Sequence, residues 1–145
     1  MLTTVEKVIF LQDIDFFEFT PTEGLAFISA ITEEVQYKAG VDVYREGEVP
    51  DAIYVVVEGK VRLHRSGEDV RIAKDKELFG AWALFDDEPR IATATTLEDV
   101  SLLRISREDF LDLLADHTSI TESVFKALVK KIHDLIRDGT LRFSG

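Results

Sequence analysis

The stretch FGAWALFDDEPRIATAT, residues 79–95, gives the strongest indication of fold and function in this chain. A glycine opens a short apolar stretch that predicts a helical turn. Three acidic residues follow as a loop, and Pro89-Arg90 leads into a strand of small residues. This order suits one phosphate group, because helix N–H groups can bind it at one end and a fixed guanidinium at the other. We call residues 79–95 the cradle segment and treat it as a candidate anion site.

Short β segments surround the cradle segment between residues 33 and 105. The run from Ile53 to Val57 is continuously apolar and rich in β-branched residues, which is typical of a strand buried on both faces. Turn glycines separate the runs: Gly40, Gly47, Gly59 and Gly67. Strands at this spacing predict a sandwich or a jelly-roll barrel.

Helical patterns precede the β region. Apolar residues from Val5 to Phe10 predict a short helix, and Thr20-Pro21-Thr22-Glu23 is the pattern of a capping box with proline at the first helical position. We therefore expect two helices within residues 1–32.

Two more helices are predicted within residues 106–138. Ser106 to Asp109 is a helix start signal, and Ser119 to Glu122 has the pattern of a second capping box. Apolar residues form one stripe along the last helix, for which we expect a core-facing role: Ile120, Val124, Leu128, Ile132 and Ile136.

Composition excludes several function classes. The chain has 145 residues, no cysteine and a net charge of −11, which fits one globular domain without disulfides or thiolate chemistry. Basic residues cluster only on the last helix, at Lys126, Lys130, Lys131 and Arg137. That pattern is typical of a solvated helix face, so we expect no nucleic-acid partner. Without a membrane-length apolar run or a signal peptide, we expect a cytoplasmic protein with no membrane insertion.

The sequence gives no indication of an enzyme. His64, His117 and His133 lie on different predicted elements, and no nucleophile motif is present. The acidic run Asp86-Asp87-Glu88 lacks a second set of ligands, so we expect neither a metal site nor a cofactor. Arg90 could pair with one of these acids, but its place after a proline in the cradle segment favours a phosphate.

Taken together, these segments resemble the cyclic nucleotide-binding domains of protein kinase regulatory subunits, gated channels and the catabolite activator protein. The resemblance runs from EKVIFLQD near the start through the cradle segment to DVSLLRISREDFLDLL. It implies one domain over residues 1–145, mainly β with flanking helices. An eight-stranded β-roll (33–105) would follow the N-terminal helical part (1–32) and precede two C-terminal helices (106–138).

The resemblance also implies a ligand site within the cradle segment. Arg90 matches the arginine that binds the cyclic phosphate in the family, and backbone N–H groups near Ala83, Leu84 and Ala92 would complete the anion site. The ligand-binding positions expected on this basis are Phe79, Gly80, Ala81, Trp82, Ala83, Leu84, Arg90, Ile91 and Ala92.

Three of these positions depart from the usual pattern of the family or bear on specificity. Ala81 stands where the family usually has a glutamate that accepts a hydrogen bond from the ribose 2′-hydroxyl. Trp82 stands where the family generally has a smaller aliphatic residue. Its side chain could fill part of the pocket or pack in the core. Ile91 offers no hydrogen bond to a guanine amino group, which favours cAMP over cGMP.

Three functional hypotheses follow. The first is a regulatory module that senses a cyclic nucleotide and relays occupancy through its C-terminal helices to an attached effector domain or within a homodimer. The second is a degenerate domain that serves protein–protein interaction or dimerisation without nucleotide. The third is a sensor of an acyclic anion in the same cradle, because alanine at position 81 relaxes the demand for a 2′-hydroxyl. The module could stand alone or be part of a larger protein.

Overall fold

The chain folds into a β-roll of two antiparallel four-stranded sheets with helices on either side of it in sequence. A computed structural model describes residues 1–85 and 87–139, and of Trp82 and Ala83 it describes the backbone. The strands are β1 (Thr32–Tyr37), β2 (Asp42–Tyr44), β3 (Ala52–Glu58), β4 (Val61–Arg65), β5 (Glu68–Ala73), β6 (Leu78–Phe79), β7 (Thr93–Thr96) and β8 (Val100–Ser106). Their order is β1-β8-β3-β6 in one sheet and β2-β7-β4-β5 in the other, so the expected eight-stranded β-roll is confirmed.

Four α-helices flank the roll. They are α1 (Thr4–Leu11), α2 (Thr22–Ala30), α3 (Arg107–Asp116) and α4 (Thr118–Arg137). Two short 3₁₀ helices are also present, one between α1 and α2 (Asp15–Phe17) and one between β6 and β7 (Ala81–Leu84). The second 3₁₀ helix lies in the cradle segment and is called the cradle helix below. In the described part of the chain, no helix is long and apolar enough to cross a membrane.

Strand β3 separates two hydrophobic cores because both of its faces are buried. Ile53 and Val55 lie in a core shared with the helices, whereas Tyr54 and Val56 lie in the interior of the roll. The prediction of a strand buried on both faces is confirmed. Strand β3 therefore lies between the helices and the interior of the roll. Ala94, near the end of the cradle segment, packs in that interior.

The hairpin between β4 and β5 turns at Ser66-Gly67. Both residues have positive φ, 52° and 82°, as a type I′ turn requires. Along β4 the apolar residues Val61 and Leu63 are buried, and Arg62 points to the outer face of the roll between them. The apolar side chains of β4 therefore face the interior of the roll.

The helix starts only partly follow the sequence signals. Ser106 caps α3 as predicted, with its hydroxyl accepting a hydrogen bond from the Asp109 N–H. The expected capping box at Thr20 is wrong, because Pro21 occupies the N-cap position of α2 and the Thr20 hydroxyl lies 2.8 Å from the Ser123 hydroxyl on α4. The Thr20 side chain therefore joins two elements instead of ending one.

The second predicted capping box, at Ser119, is also wrong. Helix α4 begins at Thr118, with His117 at its N-cap position and no side-chain cap. Ser119 therefore lies inside the first turn. The tight connection between α3 and α4 sets this start, because His117 is the C-cap of one helix and the N-cap of the next.

Helix α4 is only half buried, contrary to the expected core-facing stripe. Ile120 and Val124 are buried among the helices, but Ile132 and Ile136 are exposed. The physical reason is length: α4 has 20 residues, whereas the elements that it mainly packs against, the 3₁₀ helix Asp15–Phe17 and α3, have three and ten. The second half of α4 extends past them and presents apolar side chains to solvent.

A close crossing of α2 and α4 at Gly24 fixes the first half of α4. A Cβ atom on Gly24 would lie 2.7 Å from Thr20 Cγ2 and 3.3 Å from Ile120 Cγ1. The Thr20 methyl group cannot rotate away freely, because the hydroxyl of the same residue bonds to Ser123 in a buried position. Only glycine therefore allows this approach of the two helices.

We predict that Gly24→Ala lowers the free energy of unfolding by about 1–3 kcal/mol, the usual cost of overpacking. The sign is diagnostic, because glycine to alanine in an unconstrained helix stabilises by about 0.5–1 kcal/mol. Equilibrium urea unfolding measures the effect. Ser119→Ala, on the exposed side of α4, is the control and should change stability by less than about 0.5 kcal/mol. Stabilisation by Gly24→Ala would contradict the close crossing.

Candidate functional site

The cradle segment begins with a glycine turn that leaves room for a buried arginine. Gly80 has a φ of +78°, and a Cβ atom there would lie 2.8 Å from Arg90 Nη1. The turn connects β6 to the cradle helix, and the chain returns through Arg90 to β7. Glycine at position 80 therefore serves both the left-handed backbone and the space for the guanidinium.

The Arg90 guanidinium is buried at the end of the roll. Its side chain is 5% exposed. Nη2 donates a hydrogen bond of 2.6 Å to the Ala52 carbonyl, and Nη1 donates one of 3.3 Å to the Gly80 carbonyl. The Nε–H has no acceptor among the described residues, although it is buried. A charged group is thus kept from water while its Nε–H lacks an acceptor. Such burial costs free energy unless a hydrogen-bond acceptor is supplied.

The backbone of Arg90 is fixed independently of its side chain. Its N–H donates to the Glu48 carbonyl at 2.8 Å, and its carbonyl accepts from the Gly47 N–H at 2.8 Å. These two hydrogen bonds join the cradle segment to the loop between β2 and β3. The guanidinium is therefore positioned before any ligand binds.

An aromatic wall lies against the guanidinium. Arg90 Cζ is 3.9 Å from the ring centroid of Tyr44, which is a close cation–π contact. Tyr44, Tyr54 and Phe79 form one cluster, with ring centroids 5.3 Å apart for Tyr54 and Phe79 and 6.1 Å for the other two pairs. Burial raises the pKa of Tyr44 although the Arg90 charge opposes the shift, so its hydroxyl stays protonated at neutral pH.

Asp51 connects Arg90 to a second arginine. Asp51 Oδ1 lies 3.8 Å from Arg90 Nη2, and Oδ2 lies 3.3 Å from Arg104 Nη2. The Asp51 side chain is 68% exposed, so water screens both pairs and they contribute little to stability. The result is two guanidinium groups that share one carboxylate, in a chain whose overall charge is strongly negative.

The fold and this arginine site agree with the sequence profile of the cyclic nucleotide-binding domain, which matches residues 34–117, more than half of the chain. The chain belongs to the cyclic nucleotide-binding domain family.

Relatives of this cyclic nucleotide-binding domain include transcriptional regulators. The chain is 30% identical over 72% of its length to a CRP-like cAMP-activated global transcriptional regulator of Mycobacterium tuberculosis, and covers 50% of that protein. It is 32% identical over 68% of its length to the cyclic AMP receptor protein of Thermus thermophilus, and covers 48% of it. The chain thus spans about half the length of these curated relatives.

A solved structure supports the same assignment. The N-terminal domain of a transcriptional regulator from Streptomyces coelicolor superposes with a TM-score of 0.80 at 29% identity. The match covers 92% of this chain and 99% of that one.

The structure distributes the predicted site residues over different environments. Phe79 is buried in the roll interior, whereas the Leu84 side chain packs in the core shared with the helices. Ala81 begins the cradle helix and Ala92 precedes β7, both half-buried, while Ile91 is exposed next to Arg90. The side chains of Trp82 and Ala83 lie outside the described part of the structure, so the predictions about them stay predictions.

One acid of the cradle segment pairs with a residue outside this segment. Asp87 pairs with Arg107, the first residue of α3, at 2.9 Å, and Asp86 lies outside the described residues. Within residues 1–85 and 87–139, no three His, Asp or Glu side chains are close enough together to hold a metal ion.

Sequence reasoning missed three residues of the site: Tyr44, Asp51 and Arg104. Tyr44 follows Val41 and Val43 in an apolar β segment and has no feature that distinguishes it from a core residue. Asp51 precedes a strand in an ordinary turn sequence, and Arg104 alternates with apolar residues of β8. None has a local signal, because their roles depend on strands that are distant in sequence.

We predict that Gly80→Ala destabilises the domain by about 1 kcal/mol more than Gly40→Ala, because moving Nη1 weakens a buried hydrogen bond. The two glycines are matched: their φ values are +78° and +80°, but a Cβ atom on Gly40 would have no neighbour within 4 Å. Both variants should lose about 1–2 kcal/mol to left-handed strain. Urea unfolding of the pair measures the difference, and equal losses would contradict the close packing of Arg90 against Gly80.

Proposed function

We propose that this cyclic nucleotide-binding domain is a regulatory module, without catalysis, that binds cAMP in preference to cGMP and anchors its phosphate at Arg90. The observation that carries the proposal is the buried Arg90 guanidinium with an unpartnered Nε–H. An unsatisfied buried donor costs about 1–3 kcal/mol. A cyclic phosphate supplies a charged acceptor and removes that cost. The names of the two relatives described above both refer to cAMP, which supports a cyclic nucleotide as the ligand.

Two residues support a preference for adenine over guanine and a limit on the affinity for cAMP. Ile91 is exposed next to Arg90 and gives a guanine amino group nothing to bond, which favours adenine. Ala81 provides no acceptor for the ribose 2′-hydroxyl. An unmade hydrogen bond of this kind costs about 1–3 kcal/mol, or about tenfold to a hundredfold in affinity. We therefore expect cAMP binding weaker than a glutamate at position 81 would give.

The relay that we propose runs from the cradle segment to the C-terminal helices. The pair between Asp87 and Arg107 connects the acidic loop to the start of α3. Helix α3 meets α4 at His117, whose ring stacks on Phe27 with centroids 4.2 Å apart. A ligand that shifts the loop can thus change the balance between two arrangements of α3 and α4, if it binds one arrangement more tightly. The output would pass to an attached domain or a second copy.

Calorimetric titration with cAMP and cGMP tests the phosphate anchor. We predict binding of cAMP over cGMP, a loss of about tenfold to a hundredfold or more in Arg90→Gln, and a gain of about tenfold in Ala81→Glu. Arg90→Lys keeps the charge but loses the forked donor geometry, so its affinity should fall between those of wild type and Arg90→Gln.

The matched control is Arg62→Gln, which removes a cation and an ion pair with Asp69 on the outer face of the roll. Its affinity should equal that of wild type. Urea unfolding first establishes that each variant is folded. No heat with either nucleotide, or unchanged affinity in folded Arg90→Gln, would contradict the proposal.

A second candidate function, dimerisation through α4, rests on a different observation. Phe125, Val129, Ile132 and Ile136 follow one another at spacings of four, three and four residues, the spacing of a coiled-coil seam. Phe125 is 66% exposed although it is a large aromatic residue, and the two isoleucines are exposed as well. Pairing with the same helix of a second copy would bury this seam. Dimerisation of this kind needs no nucleotide.

We predict that the wild-type chain sediments as a dimer and that the double variant Ile132→Gln, Ile136→Gln sediments as a monomer. Burial of each isoleucine contributes about 1.5–3 kcal/mol, and glutamine removes that contribution while keeping helix propensity. Sedimentation velocity over a concentration series measures the change. Lys131→Gln, outside the seam, should remain dimeric. A monomeric wild type at all concentrations would rule out this second function.

A further inference from the structure

Arg104 lies on the same face of the sheet as the aromatic wall of the site. In the register of β3 and β8 it is the direct partner of Tyr54, and in the register of β1 and β8 it is the partner of Glu33. Tyr54 and the next residue on that face of β8, Leu102, belong to the interior cluster of the roll. Arg104 therefore extends the interior face toward its open end, where Asp51 connects it to Arg90.

The net charge of this network depends on where the Asp51 side chain lies. Arg90 and Arg104 contribute two positive charges and Asp51 one negative charge, and Ala81 adds no carboxylate. A cyclic phosphodiester has a single negative charge, so Arg90 alone can neutralise it. With Asp51 turned away, the two guanidiniums together match the two negative charges of a phosphate monoester.

The Asp51 carboxylate already occupies the position of an anion. One of its oxygens lies near Arg90 and the other near Arg104, which is the arrangement that an anionic group with several oxygens would adopt between two guanidiniums. Because this side chain is mostly exposed, it can rotate into water at little cost. A ligand anion can thus replace it without leaving a buried charge unpaired.

We propose that Arg104 is a second anion-binding residue of this site, and that the site takes an acyclic nucleotide with a doubly charged phosphate monoester. The inference rests on the anion role of Arg90 proposed above. Arg90 would bind one phosphate oxygen through Nη2, the atom that now faces Asp51, and Arg104 would bind another after Asp51 turns away. The alanine at position 81 fits the same ligand, because no carboxylate there repels the added charge.

Space for the phosphate exists beside the network. A surface cavity of about 540 Å³ has Asp51, Arg104 and Arg107 in its wall, and this volume lies within the usual range for small-molecule sites. Glu108 and Asp112 of α3 also line it and oppose an anion on their side. The phosphate therefore belongs at the arginine side of the cavity, next to Asp51.

Titration with 5′-AMP and cAMP tests the proposal, because these ligands share base and ribose and differ in phosphate charge. We expect 5′-AMP to bind wild type at least as tightly as cAMP. Arg104→Gln should weaken 5′-AMP binding by about tenfold or more, the loss of one charge-assisted hydrogen bond, and change cAMP binding by less than about threefold. Asp51→Asn should strengthen 5′-AMP binding, because it removes the competing carboxylate.

Arg62→Gln is again the matched control. Its side chain is 33% exposed and that of Arg104 27%, and each is paired with an aspartate. Arg62→Gln should leave the affinity for 5′-AMP unchanged. Equal losses in both variants would show a general effect of net charge and overturn the role of Arg104.

The pH dependence of binding gives a readout that a structural role would not change. A phosphate monoester takes its second negative charge near pH 6. The affinity of the wild-type domain for 5′-AMP should therefore rise between about pH 5 and about pH 7.5, the range in which this phosphate group ionises. The rise should be smaller in Arg104→Gln, and cAMP should show no such rise. Inorganic phosphate is titrated as well. If it binds as tightly as 5′-AMP, the inference that the ligand is a nucleotide is wrong, but the inference of a dianion site stands.

The outcomes separate this inference from the proposed function. If cAMP binds through Arg90 but 5′-AMP does not bind, the inference fails and the proposed function stands. If 5′-AMP binds with dependence on Arg90 and Arg104 but cAMP does not, the inference stands and the cyclic ligand is wrong. If neither binds, both fail.

Discussion

The burial of the Arg90 guanidinium constrains the rest of this domain. A permanent positive charge lies at the end of a closed roll, where two carbonyl groups and the Tyr44 ring take part of its interactions and the Nε–H is left without an acceptor. Desolvation of such a group is expensive unless hydrogen bonds and counter-charges compensate it. This unsatisfied donor is the observation on which the proposed anionic ligand rests.

Each neighbouring feature of the fold maintains that position. Gly80 leaves the space beside Nη1, and backbone hydrogen bonds from the loop between β2 and β3 fix Arg90 itself. Strand β3 provides both the Ala52 carbonyl and the aromatic ring of Tyr54. The position of Arg90 depends on several parts of the roll, because strands β2 and β3, the turn at Gly80 and the loop between β2 and β3 all contact this one residue.

The family resemblance predicted the eight-stranded β-roll, local sequence patterns predicted the strand β3 buried on two faces, the turn at Gly67 and the cap at Ser106, and the structure confirms these. Tertiary contacts could not be predicted in this way. Thr20 has the pattern of a cap but forms a buried hydrogen bond with Ser123, and half of the α4 stripe is exposed because the helix exceeds its packing partners. Asp51 and Arg104 meet Arg90 only through strand pairing, so no spacing along the chain indicates them.

The central claim is that the Arg90 Nε–H donates a hydrogen bond to the anionic group of the ligand. NMR can observe that N–H group directly. In a ¹H–¹⁵N spectrum of arginine side chains, the Nε–Hε resonance assigned by its loss in Arg90→Lys should shift strongly downfield during titration with cAMP, because the donor gains a charged acceptor. If other resonances shift with cAMP while that of Arg90 stays in place, the nucleotide binds elsewhere and the account is wrong.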